Sequence, residues 1–144
     1  MRARNQAHTY KKVSLETATP ARIVLMLYDG ILRFTGEAGE AFDLPEGRER
    51  LEIINNKLIR AQAIIAELQG NLDLKVEGPL PQTLFDLYGF WFDQLGNATK
   101  NKHRAPIKTV LPQVREIRDA WEQMMKQTEK DGSQEPVRSL SHSA

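Results

Sequence analysis

Cysteine is absent from the 144 residues, so no disulfide framework, thiolate metal site or thiol nucleophile is available. Neither sign of charge predominates. Lys and Arg number 20 against 19 Asp and Glu, a formal net charge of +1. That balance offers no bulk electrostatic grip on nucleic acid or anionic lipid. Long hydrophobic runs are also missing. The longest, Ile23 to Tyr28, falls far short of the roughly 20 residues a membrane span needs. Met1 to Lys12 lacks the apolar stretch of a signal peptide, and the chain reads as cytoplasmic.

Catalytic chemistry is equally sparse. His8, His103 and His142 each lack a partner at helical i+3 or i+4 spacing, so the Glu-x-x-His pair of a di-iron bundle is not there. No glycine-rich phosphate loop occurs. Ser14, Ser133, Ser139, Ser141 and Ser143 all fall near the chain ends, where no base is fixed beside them. Glu37 with Glu40, and Asp119 with Glu122, read as solvated helix faces. No catalytic residue, cofactor or metal site is expected.

What the chain does have is helical periodicity, four times over. Thr19-Pro20 sets a hydroxyl cap before a proline suited to the first helical position. Ile23, Leu27, Ile31, Phe34, Ala38 and Ala41 then recur at three-four spacing, up to Gly39 and the Leu44-Pro45 step. A second segment begins near Pro45 and Glu46, carries Leu51, Ile54, Leu58, Ala61, Ile65 and Leu68, and stops at Gly70. The third opens at Pro81 with Leu84, Tyr88, Trp91, Leu95 and Ala98. The fourth opens around Ala105-Pro106 with Ile107, Val110, Val114, Ile117, Trp121 and Met124, and Pro112 predicts a kink or a later start. Four amphipathic segments with short connections predict an all-α, antiparallel up-down four-helix bundle over residues 19–128. Residues 1–18 form an N-terminal arm in this reading, and 129–144 a disordered, flexible tail.

Some apolar residues exceed what one core stripe uses. Phe85, Gly89, Phe92 and Gly96 make a second stripe, about 100° round the third helix from the first. Interior glycine costs about 1 kcal/mol, so two on one face imply a close backbone approach. Flanking phenylalanines would make that face a groove for a helix or extended peptide, unless neighbouring helices cover it. Ile53 and Ile64 lie to one side of the second helix's stripe. Leu25 and Leu32 point nearly opposite the first helix's, where a partner or the arm would cover them. Lys100, Lys102, His103, Arg104 and Lys108 cluster at the third connection. A solvated loop is the simpler reading, docking of an acidic partner the other. These features describe a binding module without naming what it binds; an adaptor or regulator gripping some amphipathic helix fits as well.

The stretch from Tyr10 to Phe34 narrows the choice. Tyr10, the run Thr17-Ala18-Thr19-Pro20 and the block Leu27-Tyr28-Asp29-Gly30 closely resemble the flagellar secretion chaperone (FliS) family. Thr83-Leu84-Phe85-Asp86-Leu87-Tyr88 and Arg118-Asp119-Ala120-Trp121 resemble later family motifs, in the right order. The resemblance implies a helical bundle that holds the disordered C-terminal segment of flagellin, prevents premature polymerisation in the cytoplasm, and delivers it to the cytoplasmic domain of the flagellar export gate. It further implies that the tyrosine-bearing arm, here Tyr10, folds over part of the flagellin groove and takes part in gate docking. The candidate partner-binding residues are Tyr10, Leu25, Tyr28, Asp29, Leu32, Ile53, Ile64, Phe85, Gly89, Phe92 and Gly96. For Tyr28 and Asp29 a structural role stands beside the binding one, as a packed ring and an acid that holds the arm or a neighbouring helix end.

Overall fold

A computed structural model describes residues 20–131. It contains four helices: α1 Pro20–Ala41, α2 Arg48–Gly70, α3 Leu80–Asn101 and α4 Ala105–Asp131. Each packs mainly on its neighbours in sequence, and α4 closes the ring against α1, so the helices stand antiparallel in an up-down bundle. None of these helices is long and apolar enough to cross a membrane.

Local chemistry sets the ends. Gly47 takes φ 152°, a conformation that favours glycine, so α2 begins one residue later at Arg48 rather than at Pro45. Lys102, in the left-handed region at φ 52°, closes α3, its backbone N–H and that of His103 both reaching Ala98 O. Pro112 neither delays nor divides α4. Its ring lies on the exposed face, as does Lys108, whose carbonyl loses an amide partner there to solvent. At the far end α4 continues through Glu129, Lys130 and Asp131, which the sequence assigns to the tail. The arm and the remainder of the tail lie outside the described residues.

The core follows the periodic stripes most faithfully on α3, where Leu84, Tyr88, Trp91, Leu95 and Ala98 are all buried. On α1 the buried arc is wider than one stripe. Ala21, Leu25, Tyr28 and Thr35 are buried alongside Leu27, Ile31, Phe34, Ala38 and Ala41, while Ile23 is only half-buried. Leu25, expected to face outward, is 4% exposed. The cause is that α1 packs against α2 and α4 more extensively than α3 packs against its own two neighbours, which buries a second line of side chains.

Candidate functional site

The three sequence motifs, separated by up to about a hundred residues, fold into one place. Tyr28 of α1 and Tyr88 of α3 are almost wholly buried and meet hydroxyl to hydroxyl at 2.5 Å. The Trp121 ring of α4 stands edge-on to Tyr28 with centroids 6.4 Å apart, and its indole N–H donates to Ala21 O at 3.1 Å. Trp91 packs against Tyr88 and donates to Gln113 Oε1 at 2.9 Å. Burial pushes the Tyr88 hydroxyl up to about 12, although its bond with Tyr28 acts the other way. Tyr28 is raised further still, first by burial and then by Tyr88 beside it.

The neighbours of Tyr28 complete the motif's logic. Asp29 accepts from Arg118 Nε at 2.8 Å, joining α1 to α4, and Arg118 also reaches Asp119 and Glu122. Gly30 sits where α1 and α2 touch: a Cβ there would come within 2.8 Å of Ile64 Cδ1. Leu27 is buried. Each residue of Leu27-Tyr28-Asp29-Gly30 therefore holds a contact of the bundle. Tyr28, Leu25 and Ile64, at 0%, 4% and 5% exposed, present no surface for a partner to touch. Buried apolar side chains are worth most inside, and all three lie in the core, where Tyr28 takes the packed position that the sequence allowed it beside the binding one. Asp29 is accessible but already paired, so it holds a neighbouring helix, one of the two structural roles foreseen.

The second stripe of α3 is a different kind of place. Phe85, Gly89 and Gly96 are half-buried and Phe92 is 38% exposed, along the outer seam between α2 and α3. The close approach that the two glycines signal is made by α2 itself. Gln69 Nε2 donates to Phe85 O at 2.9 Å, and Gln62 Nε2 to Phe92 O at 3.0 Å. Each of these carbonyls lies four residues before a glycine, where the absent Cβ leaves room for the glutamine amide. A Cβ on Gly89 or Gly96 would meet that amide at 3.2 or 3.3 Å. The glutamines were missed in sequence, yet their seven-residue spacing matches that of the phenylalanines and of the glycines. On α2, one turn before Gln62 on the same side, Ile59 is 60% exposed. The seam is thus floored by two glutamine amides and edged by Phe85, Phe92 and Ile59.

Leu32 and Ile53 are half-buried against the core and do not join this seam. Tyr10 lies outside the described residues. Phe90, 42% exposed, occupies the other flank of the α3 core stripe.

Comparison with known proteins agrees with these motifs. The family model described as "Flagellar protein FliS" matches residues 3–128. The flagellar secretion chaperone FliS of Bacillus subtilis (strain 168) is 32% identical over 131 residues, covering 91% of this chain and 94% of the relative. That of Vibrio cholerae serotype O1 is 27% identical, with 84% and 89% covered, and that of Campylobacter jejuni is 26% identical, with 82% and 88% covered.

Proposed function

This chain belongs to the FliS family of flagellar secretion chaperones, which are not enzymes, and from that membership we propose that it holds the C-terminal segment of flagellin in the cytoplasm. Binding there keeps flagellin from polymerising before export, and the complex is handed to the cytoplasmic domain of the export gate. Tyr10 of the arm takes part in the handover, as the match of its motif implies.

The observation that carries the binding reading is the outer α2–α3 seam. Phe92 and Ile59 leave apolar surface in water on adjoining helices, and exposed apolar surface of this kind marks an interaction site. The half-buried glycines let the Gln62 and Gln69 amides lie low between the aromatic rings, which leaves the seam shallow. A disordered segment folding into such a seam gives up part of its binding energy to ordering, which suits a client that must later be released. Leu32 and Ile53, half-buried elsewhere on α1 and α2, are further candidates for contact with the wrapped segment. Leu25, Tyr28 and Ile64 contribute by holding the helices in place.

Light scattering of polymerising flagellin tests the proposal. An equimolar amount of this protein should suppress filament growth of full-length flagellin. It should not form a complex with flagellin lacking the C-terminal segment. Suppression without complex formation, or equal binding of the truncated flagellin, would overturn it.

A further inference from the structure

The outer seam between α1 and α2 is not apolar but cationic, and it is built around two aromatic rings. Phe34 lies on α1 and Phe42, eight residues on, in the turn just past its end. Arg33, Lys57 and Arg60 stand 4.6, 5.6 and 5.7 Å from the Phe34 centroid. Arg50 and Arg104 stand 5.3 and 5.9 Å from that of Phe42. Only Glu37 and Asp43 answer these cations. Glu37 lies 3.9 Å from Arg33 and 3.4 Å from Lys57, and Asp43 lies 2.8 Å from Arg104. Among the described residues neither Arg50 nor the exposed Arg60 has a carboxylate partner.

We propose that this seam is a second docking surface, which takes a carboxylate-rich helical segment of a protein partner. Charge complementarity selects the occupant. Guanidinium groups held against aromatic rings have already lost much of their freedom, so pairing with a carboxylate costs less ordering. Arginine presents paired N–H donors that match a carboxylate in two bonds. At 1.5 Å per residue, about 10 Å of α1 separate Phe34 from the helix end, with Phe42 in the turn that follows, so the two groups are spaced roughly as carboxylates two turns apart on a partner helix. Nucleic acid fits less well. Phe34 is 7% exposed and offers no face for a base, and Glu37 and Asp43 interrupt the band where a continuous phosphate chain would run. Arg104, from the basic cluster at the third connection, is here tied to the end of α1 through Gly39 O and joins the seam, while the α2–α3 seam lies elsewhere on the bundle.

The test uses the full chain and a fluorescent helical peptide of about 15 residues with glutamate at every fourth position, beside a twin carrying glutamine there. Anisotropy at about 50 mM salt should show the glutamate peptide binding at least about tenfold more tightly than its twin, with the difference shrinking at about 500 mM. Arg50→Ala with Arg60→Ala should weaken binding at least fivefold, by the same anisotropy scale. The charge-matched pair Lys126→Ala with Lys130→Ala should leave it unchanged. Should the first pair lose its helical circular dichroism, Arg60→Gln alone, at an exposed position, serves the same comparison. Equal binding of both peptides, equal loss in both charge-matched pairs, or tighter binding of single-stranded RNA or phosphatidylserine vesicles would each overturn the proposal.

Discussion

Tyr28 and Tyr88 bring two hydroxyls together where almost no water reaches them, so each depends on the other for its hydrogen bond. Removing one leaves the other buried and unpaired, at a cost of about 1–3 kcal/mol, whereas removing both leaves neither stranded. Tyr28→Phe and Tyr88→Phe should therefore each destabilise the fold, and the double variant should lose less than the two losses added. The same burial gives the pair a pH signature. In the unfolded chain a tyrosine loses its proton near 10.0, whereas Tyr88 holds its own up to about 12 and Tyr28 beyond. The fold accepts only the neutral form. Its advantage is complete below pH 10 and is lost as the pH rises from 10 through 12. Urea unfolding at pH 8 and pH 11 should show a larger loss for the wild type than for the double phenylalanine variant. Equal losses, or simple additivity of the single changes, would mean that the two hydroxyls are not coupled.

The helices meet through two sorts of glycine, and their physics differs. Alanine gains about 1 kcal/mol of helix propensity over glycine at either site. At Gly30 the new methyl would lie 2.8 Å from Ile64, a buried side chain with little room to retreat, and overpacking costs about 1–3 kcal/mol. At Gly89 it would meet only the tip of Gln69, and the most that can be lost is one hydrogen bond of about 0.5–1.5 kcal/mol. Gly30→Ala should thus reduce stability by up to about 2 kcal/mol, and Gly89→Ala should leave it nearly unchanged. Denaturant midpoints in the opposite order would contradict the packing described here. At this scale the sequence was legible wherever one stripe met one need. All four helices and the whole α3 stripe follow from the three-four spacing, because burial imposes that period on a helix packed against a core. Leu25 was misplaced because α1 packs on its neighbours more extensively than one stripe of side chains can fill. Pro112 was overread because its freed carbonyl lies on an exposed face, where water substitutes for the amide.

Across the whole molecule, the family's motifs and the exposed apolar seam lie in different places. The motifs that mark the family converge on the Tyr28–Tyr88–Trp121 cluster and the Asp29–Arg118 pair, which bind α1, α3 and α4 together. Leu27, Leu84, Tyr88 and Trp121 were legible as core-stripe residues, but the meeting of Tyr28 with Tyr88 and Trp121 was not, since it depends on which helices become neighbours. Phe85, Gly89, Phe92 and Gly96 were legible as a stripe, and their position on an outer seam follows the glycine signal. That α2 supplies the close approach, through Gln62 and Gln69, required the pairing of α2 with α3 to be known. The most direct measurement of the chaperone reading is calorimetric titration of a flagellin C-terminal peptide into the wild-type protein and Phe92→Asp, paired with urea unfolding of both. Phe92 is 38% exposed, so a charge there still reaches water and the urea midpoint should fall only by what the lost apolar contact is worth, about 1 kcal/mol. Affinity should fall at least about tenfold, or about 1.4 kcal/mol, because a docked apolar segment would bury that charge. Failure of the wild type to bind the peptide would contradict the chaperone reading itself, and undiminished binding by Phe92→Asp would remove the α2–α3 seam as its site.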